Sequence, residues 1–268
     1  MKFGVCGFIT AKNADGSEFE LIPAAKKAGY DYIEMPMSTI AGLSEAEFAD
    51  LKAKVAAGGL PVEACNLFFP RSLRLTGPAV DWKAVEAYLE LALGRAGQLG
   101  AKAIVFGSGG SRQVPAGFPM EEAWLQLVHL LRLAEPIAAK NDTTIVIEPL
   151  NDKETNIIHT GAEGFALAKL VDRPHIRLLL DLFHMHLMNE DPGIAVTARD
   201  YVRHAHFAKP EGRCYPAVVE DEFRAFFGGL KRGGYPGRVS IEAGFKNFAT
   251  EGPLALAVMK QAAGQETF

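Results

Sequence analysis

Eight short runs of strand-forming residues, most of them separated by a helical pattern rather than a hairpin turn, constrain this chain more than any other feature. They are Phe3–Cys6, Asp31–Met35, Pro61–Asn66, Ala103–Phe106, Thr143–Ile147, Ile176–Leu180, Tyr201–Ala208 and Val239–Glu242. Strands joined through helices pair in parallel, because a parallel pair needs a long crossover. The connecting helices carry start and stop signals. Ser17 caps a helix to Ala28 with Gly29 as its stop, and Ser44 with Glu47 has capping-box spacing for a helix through about Ala57. Helices are also predicted over Asp81–Leu99 (closed by Gly100), Met120–Lys140, Gly161–Val171, weakly over Asp191–Asp200, and over Val219–Leu230 and Gly252–Ala263. Phe68–Val80, broken by Pro70 and Pro78, reads as loop. Eight β/α units in 268 residues predict an α/β fold, a single (β/α)8 TIM barrel. An open doubly wound sheet is the alternative. No linker, charge block or low-complexity tract divides the chain, so one domain is expected over residues 1–268.

Composition narrows the function classes. Hydrophobic residues at 49% supply a large core, and a formal net charge of −4 argues against a general nucleic-acid or anionic-membrane surface. Cys6, Cys65 and Cys214 form no CxxC, so neither a disulfide framework nor a zinc knuckle is indicated, and a reducing compartment fits. The first ten residues lack the pattern of a signal peptide, and no apolar stretch approaches the roughly 20 residues that span a bilayer. The expectation is a cytoplasmic protein with neither a nucleic acid nor a membrane as partner.

Chemistry enters at the strand ends. The run from Thr143 begins as a buried strand and stops at Glu148, because Pro149 cannot extend a ladder. By alternation Thr144, Val146 and Glu148 face one way, Ile145 and Ile147 the other. Three later strands also end in polar groups, Asp181, His206 and Glu242. Each alone reads equally well as a satisfied polar group at a strand terminus. All four at consecutive strand ends form a mixed oxygen and nitrogen ligand set, suited to Mn²⁺ or Mg²⁺ and open to Co²⁺ or Zn²⁺. His184 lies just beyond Asp181, near enough to touch a ligand. His204 shares the parity of His206 and reads as a buried neutral histidine one layer deeper. Glu154 and Arg213 lie in loops at the same face. Gly107–Arg112 reads as a tight βα loop in preference to an anion cradle. Phe8, Phe68 and Phe69 wall the pocket or cover the barrel mouth.

These motifs resemble the xylose isomerase-like TIM-barrel superfamily, in particular its ketose 3-epimerase branch. The likeness rests on Ile147-Glu148-Pro149-Leu150-Asn151 with Glu154, on Leu180-Asp181-Leu182-Phe183-His184-Met185, on His204-Ala205-His206-Phe207 with Gly212-Arg213, and on Ser240-Ile241-Glu242. The resemblance implies a sugar or sugar phosphate isomerase or epimerase holding one divalent ion, Mn²⁺ first, on Glu148, Asp181, His206 and Glu242. It implies Glu148 and Glu242 as the acid/base pair working through an enediolate, with Glu154, His184, Arg213, Asn151 and Asn66 as substrate contacts. A homo-oligomer, dimer or tetramer, is the implied assembly. Relatives of the same fold remain as alternatives: an inosose or dehydroshikimate dehydratase, or a hydroxypyruvate isomerase. An endonuclease IV-type repair enzyme would need additional histidines, where this chain has Asn66, Gly107-Ser108 and Arg213-Cys214-Tyr215.

Overall fold

In the computed structural model, which describes residues 1–265, the expected strand–helix alternation closes into a ring. The strands are β1 (Lys2–Cys6), β2 (Thr10–Lys12), β3 (Glu18–Glu20), β4 (Tyr32–Pro36), β5 (Val62–Asn66), β6 (Ala103–Phe106), β7 (Thr144–Ile147), β8 (Ile176–Asp181), β9 (Val202–Phe207) and β10 (Arg238–Ile241). Eight of them form a closed barrel in the order β1–β10–β9–β8–β7–β6–β5–β4, each pair parallel. The chain is therefore a TIM barrel. Its last three residues lie outside the described residues. Among the described residues no helix is long and apolar enough to cross a membrane.

Period-2 alternation sorts the buried side chains into two layers. Tyr32, Ala64, Ala103, Val105, Val146 and Leu179 form a small cluster of their own, the packed barrel interior. Their strand neighbours, among them Ile33, Ile104, Ile145, Ile147, Leu178 and Leu180, join the larger cluster between strands and helices. Fully burying each such aliphatic chain contributes roughly 1.5–3 kcal/mol. A β-carbon at Gly4 would collide with the Tyr32 ring, so that glycine lets a tyrosine fill the barrel floor.

Several helix signals act as expected. Ser44 and Glu47 make both bonds of a capping box for Glu45–Gly58, Asp81 caps Trp82–Leu99, and Gly29 and Gly100 end their helices in the left-handed region. Other expectations need correction. Ser17 does not cap a helix: its backbone N–H and hydroxyl both donate to Asp15 Oδ1, at 2.9 and 2.6 Å, and β3 pairs with β2 as an antiparallel hairpin. The helix there covers only Leu21–Ala28. The helical segment after β8 is Leu182–Leu187, directly behind Asp181, while only Ile194–Thr197 of the expected Asp191–Asp200 helix forms. The last helix begins at Phe248, where Asn247 accepts from Ala249 N–H.

The loop after β6 holds the neighbouring strand ends in place. Arg112 is wholly buried, and its guanidinium donates to the carbonyls of Phe106 (3.0 Å), Glu148 (3.0 Å) and Ile158 (3.3 Å). It serves backbone and not a ligand, which agrees with the tight-loop reading. Replacing it strands three buried acceptors, each worth about 1–3 kcal/mol. Arg112→Leu should lower the unfolding free energy by about 3 kcal/mol or more in urea titrations. An unchanged midpoint would mean that those carbonyls have other partners.

Candidate active site

The inward parity of the barrel interior carries on past its apolar layer into a polar one. Two residues beyond Val146, Leu179, His204 and Ser240 stand Glu148, Asp181, His206 and Glu242, at the C-terminal ends of β7, β8, β9 and β10. One ligating atom from each lies within 4.8 Å of all the others. Glu148, Asp181 and His206 are buried, and the Glu242 side chain keeps 21% of its exposure. His206 Nδ1 lies 2.9 Å from Glu148 Oε1 and 3.2 Å from Glu242 Oε2. A β-carbon at Gly107 would collide with the Glu148 carboxylate, so the end of β6 leaves room for it. Three carboxylates and one imidazole nitrogen, converging on one point, are a donor set that fits a divalent ion.

Around this quartet the remaining site residues interlock. Arg213 Nη2 donates to Glu242 Oε2 at 2.5 Å and lies 3.5 Å from Asp181 Oδ2, while Nη1 lies 3.5 Å from Glu154 Oε1. Its guanidinium also sits over the Phe183 ring, 4.6 Å from the centroid. Asn66 donates to Glu242 Oε1 at 2.8 Å. Asn151 is buried, and its amide is engaged with Glu154 Oε1 (3.0 Å) and His184 Nδ1 (2.8 Å). The Asn151 backbone N–H also donates to His184 Nδ1, at 3.1 Å, so Nε2 is the protonated nitrogen of a neutral His184. That buried Nε2 has no hydrogen-bond partner among the described residues.

Two cavities meet at Leu67, Arg213 and Glu242. One, of about 300 Å³, is lined by Phe69, Ser108, Glu148, Glu154 and His184; the other, of about 400 Å³, by Cys6, Pro36 and Asn66. Leu67, Ser108 and Arg213 all adopt left-handed backbone, at φ 48°, 44° and 45°. Non-glycine residues reach that region only when their surroundings impose it, and such strain gathers at functional sites.

The charges push the acids apart. Burial raises Glu148 against the pull of His206, and raises Asp181 to about 6 despite Arg213 and His206. Burial also acts on Glu242, but His206 and Arg213 outweigh it and hold that carboxyl at about 2. His206 is desolvated, yet Glu34, Glu242 and Glu148 together raise it well above an ordinary histidine. Burial lowers His184.

Glu34 lies within the expected strand Asp31–Met35. It is fully buried on β4, and its carboxylate accepts from His206 Nε2 (2.9 Å), His204 Nε2 (2.7 Å) and Ser240 Oγ (2.6 Å). Its inward parity, shared with Tyr32, was the signal available. His204 is buried as expected. His186 lies at the surface against Glu222, 2.8 Å away.

The family model for the xylose isomerase-like TIM barrel matches residues 22–260. The chain is 30% identical over 250 residues to a probable ketose 3-epimerase of Synechocystis sp., covering 91% of this chain and 84% of that protein. It is 29% identical over 237 residues to an L-ribulose 3-epimerase of Methylomonas sp., covering 83% and 77%. The crystal structure of a D-allulose 3-epimerase from Methylomonas sp. in complex with D-allulose superposes with a TM-score of 0.84 over 98% of this chain and 97% of that one. At 23% identity, that likeness speaks for the fold alone.

A metal ion and protons would compete for this donor set. Below its raised pKa the metal-free His206 is an imidazolium, and a metal binds only the neutral ring. Loading Mn²⁺ at pH 7 should therefore release about one proton per ion, seen by calorimetry in buffers of different ionisation enthalpy. Affinity should fall as pH drops, more steeply below about 6 where Asp181 also takes up a proton. Affinity independent of pH between 5 and 8 would remove His206 and Asp181 from the ligand set.

Proposed function

The chain belongs to the xylose isomerase-like TIM-barrel family, and from that premise we propose that it epimerises a ketose at C3 with the help of one divalent ion, Mn²⁺ or Co²⁺. The observation that carries this reading is the convergence of Glu148, Asp181, His206 and Glu242 at four neighbouring strand ends beside a substrate-sized cavity. The three unpaired cysteines fit a cytoplasmic enzyme.

Glu148, Asp181, His206 and Glu242 would hold the ion, which would supply Lewis acidity that acidifies the C3–H beside the ketose carbonyl and stabilises the enediolate left when C3 loses its proton. Glu148 and Glu242 act as the acid/base pair. Their strands are not neighbours: β8 and β9 lie between them in the ring. One removes the proton from one face of the planar intermediate and the other returns a proton to the opposite face, which inverts the centre. His184 offers its Nε2–H to a substrate oxygen, and Arg213 and Glu154 bind hydroxyls at the cavity wall. Asn66 reaches substrate from the adjoining cavity while it steadies Glu242. Asn151 acts by holding His184 and Glu154 in register, since its amide is already engaged with both.

Incubation with Mn²⁺ or Co²⁺ and a panel of ketoses and their phosphates in D₂O tests the reading directly. The C3 epimer should appear with solvent deuterium at C3. Loss of water with a new enone chromophore would assign the dehydratase chemistry instead, and an aldose labelled at C2 an aldose–ketose isomerase. Glu148→Gln and Glu242→Gln should each reduce kcat by roughly 10²–10⁴-fold in a folded protein. Wild-type turnover in either variant takes that residue out of the acid/base pair.

A further inference from the structure

The buried groups beneath the quartet are not used by the proposed chemistry, and their hydrogen bonds run in one direction only. Tyr32, Glu34, His204 and Ser240 are all fully buried on the inward faces of β4, β9 and β10. An ionised carboxylate accepts and never donates. Three side-chain donors, His206 Nε2, His204 Nε2 and Ser240 Oγ, converge on the two oxygens of Glu34, the arrangement an ionised carboxylate requires. Ser240 must then spend its single proton on Glu34 Oε2, at 2.6 Å, and so accepts from the Tyr32 hydroxyl, at 2.7 Å. Both histidines must donate through Nε2, at 2.7 Å for His204 and 2.9 Å for His206. His204 Nδ1, left without a hydrogen-bond partner among the described residues, agrees with that proton pattern.

Resting on the metal-site reading above, we propose that Glu34 is a positioning residue: it holds the proton of a neutral His206 on Nε2, so that the lone pair of Nδ1 faces Glu148, Asp181 and Glu242. Without it the opposite tautomer wins. Nδ1 faces Glu148 Oε1 at 2.9 Å and Glu242 Oε2 at 3.2 Å, and these oxygens would keep the ring's one proton on Nδ1, closing the nitrogen to a cation. A carboxylate behind the ring reverses that preference and raises the basicity of the ligating nitrogen. Ser240 and His204 fix the far oxygen of Glu34, which directs Oε1 at His206. Half of the supporting layer shares strands with the ligands. His204 stands two residues before His206, and Ser240 two before Glu242.

Metal-free wild type, Glu34→Gln and Ser240→Ala are titrated with Co²⁺, reading affinity by calorimetry and the ligand field from the visible absorption, with circular dichroism as the fold control. Glu34→Gln should bind Co²⁺ roughly 10–100-fold more weakly, with a visible spectrum shifted toward all-oxygen coordination. Ser240→Ala, which removes a hydroxyl bonded to no metal ligand, should shift both readouts in the same direction by a smaller factor. A folded Glu34→Gln with wild-type affinity and spectrum overturns the proposal. If that variant does not fold, an unaltered affinity and spectrum in Ser240→Ala overturns it as well. Wild type that takes up no Co²⁺ would bring down the metal-site reading and the role of Glu34 with it, whereas equal binding by wild type and variant removes the role of Glu34 alone.

Discussion

Three carboxylates whose oxygens lie within 4.8 Å of one another cannot all be ionised unless positive charge sits among them. At that spacing each pair repels by about 3 kcal/mol with an effective dielectric of about 20. In the chain by itself the compensation comes from the His206 imidazolium and from Arg213, which reaches Asp181, Glu242 and Glu154 from one side. A divalent cation would meet the same demand, since Glu148, Asp181, His206 and Glu242 each offer one ligating atom within 4.8 Å of the others. Burial raises Asp181 and Glu148 while the surrounding carboxylates raise His206, so the acids and the imidazole share protons.

A scaffold that keeps such charges together has to be stiff where they attach. The barrel does this by ending its apolar interior one layer below them, so that Val146 and Leu179 are packed while Glu148 and Asp181, two residues further on, begin the site. Where the chain leaves the sheet, buried guanidinium groups replace the missing ladder. Arg112 gathers carbonyls from the ends of β6 and β7, and Arg95 does the same after β4, donating to Ile40, Ala41 and Leu43 at 2.7–3.2 Å. Apart from a 2.6 Å pair between Arg95 and the exposed Glu45, these cations neutralise no acid at close range among the described residues. They satisfy backbone acceptors that a loop would otherwise bury unpaired.

What could be read from the sequence follows from range. A charged residue that ends an apolar run is visible within five residues, and so Glu148, Asp181, His206 and Glu242 stood out as strand ends before any contact was known. Strand parity then placed Val146 and His204 on the inner face. Glu34 was hidden because its meaning lies in His204, His206 and Ser240, about 170–206 residues away, which no local pattern links to it. The false helix at Ser17 failed for the opposite reason: a good capping residue was claimed by an even more local partner, Asp15, and the segment folded back on Thr10–Lys12. Leu182–Leu187 is too short for a periodic signal and is organised by Asp181, which accepts from Phe183 N–H at 2.9 Å. One residue thus ends a strand, caps a helical turn and belongs to the quartet.

The two carboxylates of the proposed acid/base pair are not equivalent, and the difference survives metal loading. Coordination would take the Nδ1 proton of His206 from both. Glu242 would still accept from Asn66 and Arg213, at 2.8 and 2.5 Å, whereas the Glu148 carboxylate has His206 as its one side-chain donor among the described residues. Donors stabilise the ionised form, so Glu148 is the stronger base and Glu242 the group that resists protonation. Epimerisation runs both ways, and each member must therefore serve in turn as acceptor and donor. The two donors that would remain on Glu242 line the cavities, Asn66 on one side and Arg213 on both. A sugar hydroxyl that draws either of them away from Glu242 raises the basicity of Glu242 toward that of Glu148. Binding of the correct substrate would itself match the pair, and a ligand too short to reach Asn66 or Arg213 would leave the two acids unequal and one direction of proton transfer slow.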